Sequence, residues 1–424
     1  MSEQRDSIAA FRHPGVARFA VGRFLSAMAA TSISVAVGWR LYEQTDSMLA
    51  LGIVGLVEVI PVLGLALPAG IASDRFPRRR VAIASHLTLA LCAGALGLLS
   101  WFSGPTWAYY VALFFLGVGT AFRGPSVGAM LPQLVPPKDF TNANAWISST
   151  YELASISGPA VAGFLIAAVS DAWLALLFAF CSHLGFTLVL FTLPEKPAAN
   201  ARLDLGRAGK HGLTEMLAGL RFVRDTKVFL AAITLDLFAV LFGGCIALMP
   251  VYAKDVLHVG PVGLGWLRAA PALGALSMAL LQTRLPAWKR PGIVLLVTVA
   301  GFGIANITFG LSKWMWLSLL SLFLAGVFDN VSVVIRATLE QSLTPDAMRG
   351  RVSAIHYVFV GMSNELGSFE SGATAAMFGP IASVVGGGIG TLLVVVFVAL
   401  YFPQLRTLPP LHQLQPAQTM QPAE

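Results

Sequence analysis

Apolar windows of about twenty residues recur along the whole chain, each separated from the next by a short polar stretch. A helix of that length crosses about 30 Å of hydrocarbon, so each window predicts a membrane span. The windows fall at 16–40, 49–72, 81–103, 107–131, 142–169, 172–193, 228–252, 261–284, 291–312, 314–339, 351–377 and 380–402. Twelve spans put both termini on one side.

Composition agrees with this pattern. The 424 residues are 56 % hydrophobic and only 12 % charged, too apolar for a soluble domain of this size. Mean hydropathy is +0.74. The 41 glycines and 24 prolines fit membrane helices, where neighbouring helices satisfy freed backbone groups. The net charge of +7 does not point to nucleic acid, because most of the positive charge lies in loops between spans. Of 28 lysines and arginines, 20 fall on the side holding both termini and 3 on the other. That bias predicts cytoplasmic termini by the positive-inside rule. The first fifteen residues lack the apolar core and cleavage site of a removed signal peptide. Cys92, Cys181 and Cys245 sit in apolar segments without CxxC spacing, so packing roles are expected rather than a metal site or disulfides.

The longest polar stretch, 194–227, reads as a cytoplasmic linker, partly helical over 213–224. The predicted organisation is therefore a tail (1–15), a six-helix bundle (16–193), the linker, a second six-helix bundle (228–402) and a tail (403–424). The halves repeat. "DRFPRRR" after span two is echoed by "TRLPAWKR" after span eight, with Arg75 matching Arg284 and Pro77 matching Pro286 at an offset of 209. "LPQLVPPKD" after span four is echoed by "LEQSLTPDA" after span ten, with Leu131, Gln133 and Pro137 matching Leu339, Gln341 and Pro345 at an offset of 208. Duplicated halves suit a transporter whose site lies between two bundles.

Six plus six spans, a long middle loop, and Gly70-x3-Asp74-Arg75-x2-Arg78-Arg79 between spans two and three resemble the major facilitator superfamily. The segments "IRATLEQSLTPDAMRGRVSAI" (335–355) and "NELGSFESG" (364–372) are similar to its branch of enterobactin exporters and proton-driven drug efflux proteins. The resemblance implies the fold: an all-α membrane protein of two pseudo-symmetric six-helix bundles. It also implies that the loop is a cytoplasmic latch. Gly70 would let spans two and eleven approach. Asp74 would sit at the positive N-terminal end of span eleven. Arg75, Arg78 and Arg79 would bridge to carboxylates or lipid head groups. Arg80 reads as a plain membrane anchor. A positive-inside anchor would account for the arginines but not for Asp74. The second copy has Thr283 in place of Asp74, which predicts a weaker latch. Span five carries Gly158, Pro159 and Gly163, part of the helix-packing motif of superfamily antiporters, with Ala154 and Ser155 where further glycine would be expected nearby.

Ionisable groups at membrane depth are costly unless paired or wet, and are functional candidates. Here they are Arg23, Glu58, Arg123, Glu152, Asp236, Arg268, Asp329, Arg336, Glu365 and Glu370. In the superfamily, spans one, four, seven and ten line the cavity, and these carry Arg23, Arg123, Asp236 and Asp329. A carboxyl group among apolar residues holds its proton more readily, so Asp236 and Asp329 are the first candidates for proton coupling or substrate contact. The competing reading is a permanent pair of Asp329 with Arg336, seven residues and about 10 Å along one helix face, too far for contact unless the long arginine reaches up. Arg336 itself reads as a snorkelling residue. Glu365 and Glu370 lie about 140° apart on their helix, so only one faces a cavity, and Glu365 beside Asn364 is preferred. Glu58 and Glu152 serve as further proton sites or as partners of Arg23 and Arg123. Trp101, Trp107, Trp314 and Trp316 read as an interfacial belt. Phe238, Phe242 and Phe328 flank the cavity carboxylates and are read chiefly as packing. "GGGIG" (386–390) has no strand before it and is expected to pack helices closely.

The sequence thus predicts a monomeric secondary transporter, not an enzyme and without a cofactor, in a bacterial-type cytoplasmic membrane. It would export a small amphipathic molecule, drug- or siderophore-like, in exchange for protons. Its partners would be that substrate, protons and the bilayer, with no nucleic acid. The alternatives are proton-driven uptake, transport of a lipid-like substrate, and a non-transporting receptor that keeps the fold.

Overall fold

Helix covers every predicted span in the computed structural model, which describes residues 9–195, 219–286, 288–345 and 348–414. The long helices are α1 (Val16–Thr45), α2 (Met48–Gly64), α3 (Ala66–Arg75), α4 (Arg78–Trp101), α5 (Thr106–Gly128), α6 (Phe140–Val169) and α7 (Trp173–Thr192). They continue as α8 (Lys227–Phe242), α9 (Gly260–Gln282), α10 (Pro291–Leu311), α11 (Met315–Leu343), α12 (Arg349–Phe378) and α13 (Pro380–Tyr401). Among the described residues there is no strand. Much of the predicted 194–227 linker lies outside the described residues; 219–225 is helical.

Ten spans are long and apolar enough to cross a membrane singly, and the α2–α3 pair, bent by 48°, makes an eleventh. The bend follows from sequence. Pro61 and Pro68 lack the N–H that continues a helical ladder, and Gly64 lies between them. The remaining predicted span, α12, is 30 residues long but is more polar, with Arg349, Arg351, His356, Glu365 and Glu370 along its length.

The chain folds as two compact units, Met1–Leu203 with Ala253–Ala269, and Asp204–Tyr252 with Ala270–Glu424. This differs from the expected bundles at one segment: residues 253–269 pack with the first unit. Polar bonds tie this segment to α1 and its C-terminal cap. Tyr42 donates to Asp255, the Lys254 ammonium lies 2.6 Å from Asp46, and Arg268 donates to Ser34.

In the first unit α1 packs on α6 and α7, and α4 on α5 and α7. Its core holds Val16, Phe19, Val127, Met130, Ile147, Phe186 and Leu190. Lipid offers no hydrophobic drive between helices, so close approach and internal hydrogen bonds must hold them. A Cβ on Gly22 would lie 2.0 Å from the Phe186 ring, so only glycine admits that ring. At the far end Arg40 ties three elements, donating to Ser100 O (3.2 Å) and Ser103 Oγ (3.0 Å) and facing Asp171 at 3.6 Å.

In the second unit α10 packs on α11 and α13, and α8 on α12 and α13. The "GGGIG" run does pack helices closely: a Cβ on Gly387 would lie 2.0 Å from Phe242 O, and one on Gly388 2.8 Å from Gly303 O. Large apolar side chains such as Phe102, Phe164, Leu393 and Leu400 point outward at the surface, as lipid-facing helices require. Trp101, Trp107, Trp314 and Trp316 are likewise exposed.

Candidate functional site

The charge cluster of the second unit is built from two helices. α8 presents Asp236 and α11 presents Asp329 and Arg336. Arg336 does not snorkel. Its side chain is 6 % exposed and its guanidinium Nη1 pairs directly with the Asp236 carboxylate, itself 10 % exposed. Arg336 Nε also donates to Ser332 O one turn back, at 3.3 Å, which fixes the guanidinium against its own helix. Nη2 reaches Asp329 Oδ1 at 3.9 Å, so the long arginine spans the seven-residue gap after all. The two carboxylates are not equivalent. Asp236 is committed to Arg336 inside the protein, whereas the Asp329 side chain is 49 % exposed. With both carboxylates ionised the trio carries one net negative charge, and a proton on Asp329 brings it to zero.

Beside the trio, Gln282 of α9 donates to Asn330 Oδ1 at 3.1 Å. Phe238 and Phe242 stack on one another with centroids 6.2 Å apart. Phe328 fills the space over Gly301, where a Cβ would lie 2.8 Å from its ring. On α12, Glu365 and Glu370 are both half-buried, and Asn364 turns back onto its own helix, donating to Val360 O at 2.9 Å.

In the first unit Arg23 (α1), Glu58 (α2), Arg123 (α5) and Glu152 (α6) are half-buried on four different helices. The fold places two residues near Arg23 and Arg123 that sequence reading passed over. His86 and His183 are buried with ring centroids 5.8 Å apart. His86 Nδ1 faces Ala82 O at 3.0 Å, a pure acceptor, so that nitrogen carries the proton; Nε2 then accepts from Ser26 at 3.0 Å. Histidines spaced 97 positions apart carry no pattern that would have paired them.

The loop residues are distributed differently from expectation. Arg78 donates to Ala129 O at 2.9 Å, the cap of α5. Arg79 donates to Leu193 O at 2.8 Å and Phe191 O at 2.9 Å, at the end of α7. Both therefore hold helix C-termini of their own unit, where orphan carbonyls and the negative dipole end favour a cation, instead of carboxylates or head groups. Arg80 is more than an anchor: it pairs with Glu195 at 2.8 Å. Asp74 and Arg75 are exposed, and Arg75 lies over the Phe76 ring at 5.9 Å. A Cβ on Gly70 would meet nothing within 4 Å. The span-five motif sits at tight crossings. A Cβ on Gly158 would lie 2.0 Å from Thr31 Oγ1, one on Gly163 2.4 Å from Pro261 O, and one on Gly265 2.7 Å from Pro159 O.

A sequence profile of the Major Facilitator Superfamily matches residues 19–364. The chain belongs to the major facilitator superfamily. Among its relatives are the enterobactin exporter EntS of Shigella flexneri, 29 % identical over 399 residues, and that of Escherichia coli O1:K1, 28 % identical over 399 residues; each match covers 93 % of both chains. Similar solved structures include a POT family transporter in complex with 5-aminolevulinic acid, with a TM-score of 0.72 and 12 % identity over 92 % of this chain and 96 % of that one. Another is a bacterial homologue of the human lysosomal transporter Spinster in an inward-facing, occupied conformation, with a TM-score of 0.71 and 14 % identity over 97 % of this chain and 99 % of that one. At such identities these structures speak to the fold alone. The protein is a multi-pass membrane transporter of the superfamily, not an enzyme.

Proposed function

We propose that this transporter exports a siderophore-like or drug-like amphipathic molecule by proton antiport, acting as a monomer in a bacterial inner membrane with both termini cytoplasmic. The observation that carries the reading is the Asp236–Arg336–Asp329 trio, an ionic cluster built into a membrane-spanning bundle with one carboxylate locked and the other half-exposed. Buried charge of this kind is expensive in a membrane and is retained where ions or substrates are handled. The enterobactin exporters among the relatives support export as the direction and a siderophore-like molecule as the cargo. Asp329 takes the proton. Its protonation discharges the trio and frees Arg336 to hold Asp236 alone, so the cluster has two electrostatic states for alternating access to use. Arg23 and Arg123 of the first unit would meet anionic groups of the substrate. Asp74 and Arg75, exposed on the positively charged side, are the part of the loop left to act as a latch, while Arg78 and Arg79 stiffen the bundle.

The test uses purified protein in liposomes enclosing a pH-sensitive dye. A proton gradient is imposed and siderophores, macrolides, cationic dyes and lysolipids are added in turn. Substrate-linked proton movement in the wild type, reduced at least about tenfold in Asp329→Asn, is expected. Asp329→Asn is the informative variant because it is isosteric and leaves the Asp236–Arg336 pair intact. Substrate uptake that rises with an inward proton gradient would instead establish symport. Transport that ignores the gradient would sink the antiport reading.

A further inference from the structure

The trio is the upper part of a longer ionic stripe. Asp329, Arg336 and Glu340 stand at i, i+7 and i+11 on α11, within about 40° of one another around the helix. Glu340 lies three residues before the end of α11 and faces the first turns of α12. Its carboxylate accepts a hydrogen bond from Ser353 and lies 3.1 Å from His356 Nδ1. Both partners are sheltered, with side-chain exposures of 13 % for Glu340 and 23 % for His356. An apolar collar of Val223, Phe229, Ile233, Val352 and Ile355 packs at this end of the bundle.

Among the described residues, the following charges lie on the elements around His356. From α11 they are Glu340 and Arg336. The segment 219–225 and the start of α8, packed on the same end, contribute Arg221, Arg224, Asp225 and Lys227, all exposed. Arg349 on the first turn of α12 is exposed as well. A half-buried histidine beside a carboxylate, at the positively charged end of a bundle whose middle holds a half-exposed aspartate, is placed to exchange protons. Imidazole is the side chain whose ordinary titration range spans neutrality.

We propose that His356 and Glu340 form the proton-exchange pair through which the Asp329 site equilibrates with the cytoplasm. The inference rests on the antiport reading above. A proton leaving the Asp329 carboxyl passes through water to the imidazole, which becomes an imidazolium held by Glu340, and is then released to the cytoplasmic side. The imidazolium stands near Arg336, which also serves Asp329. A proton on His356 therefore repels Arg336 toward the two aspartates and disfavours a second proton on Asp329. The two sites load alternately, which is what a directed hand-off requires.

The experiment measures substrate-linked proton flux in oriented liposomes while the pH on the cytoplasmic face is varied from about 5.5 to 8.5 and the outer pH is held. A single titrating group changes its occupancy by up to about tenfold per pH unit. The wild type is expected to show an inflection in this range. His356→Gln keeps a hydrogen-bonding side chain and loses the inflection, changing less than about twofold across the range. His356→Arg keeps a cation opposite Glu340 and is equally flat. Unfolding temperatures and substrate affinity of both variants should match the wild type, which separates exchange from a structural role. A His356→Gln protein that follows the wild-type curve overturns this inference alone. A wild type with no substrate-linked proton movement at any pH overturns the antiport reading and this inference together.

Discussion

At the scale of single residues, Arg336 decides how the second unit's charges are used. The sequence marked Asp236 and Asp329 as equals and Arg336 as a residue reaching for the interface. Which carboxylate meets the guanidinium depends on the rotation of α8 against α11, and spacing within one helix does not report that. The consequence is measurable. Arg336→Ala leaves the Asp236 carboxylate buried and unpaired and should cost about 3–5 kcal/mol of stability, because breaking a buried pair from one side strands the other charge. Replacing both partners at once with Asp236→Leu and Arg336→Met should recover much of that loss while abolishing transport. Thermal unfolding in detergent of the two singles and the double checks it; a double variant no more stable than Arg336→Ala would show that the pair is not the cause. The His86–His183 contact was illegible for the same reason, since it joins two helices, α4 and α7, that are far apart in sequence.

At the scale of elements, most of the hydropathy windows, ten single spans and the bent α2–α3 pair, and the glycine-rich packing sites were legible, because a membrane helix must satisfy its own backbone and glycines mark where two backbones meet. The α2–α3 bend was written in Pro61, Gly64 and Pro68 but reads from sequence only as a continuous apolar window. The role of Arg78 and Arg79 was hidden, because the carbonyls they cap belong to α5 and α7, more than fifty residues away in sequence. The glycine run gives an internally controlled test. Gly387→Ala places a methyl group 2.0 Å from Phe242 O, a backbone atom that cannot rotate away. Overpacking of this kind costs about 1–3 kcal/mol. Gly386→Ala, one position earlier, meets nothing within 4 Å and should be neutral or gain up to about 1 kcal/mol from helix propensity. Equal unfolding temperatures for the two variants would contradict the crossing of α8 and α13.

At the scale of the whole molecule, the duplicated loops foretold two halves, yet the compact units do not split at the linker alone. Residues 253–269 are held to the first unit by Arg268, marked in the sequence only as a charge at membrane depth, and by side chains the sequence did not single out: Tyr42, Asp46, Lys254, Asp255 and Ser34. Lys254 also stands over the Tyr42 ring, with the ammonium 5.1 Å from its centroid. α9 leaves this grip at Ala269 and continues into the second unit. If the proposed transport cycle opens this grip, fixing it should stop transport without unfolding the protein. The Asp46 and Lys254 side chains are 74 % and 33 % exposed, within reach of a reagent in solution. Asp46→Cys with Lys254→Cys, in a background where Cys92, Cys181 and Cys245 are serine, should be joined by a bifunctional methanethiosulfonate reagent. Transport should fall at least about tenfold on joining and return when the link is reduced. Either single cysteine treated the same way should keep its rate, since a modified side chain alone restrains nothing. Full transport by the joined double variant would mean that α1 and residues 253–269 stay together throughout the cycle, and the moving boundary would then have to lie further along α9.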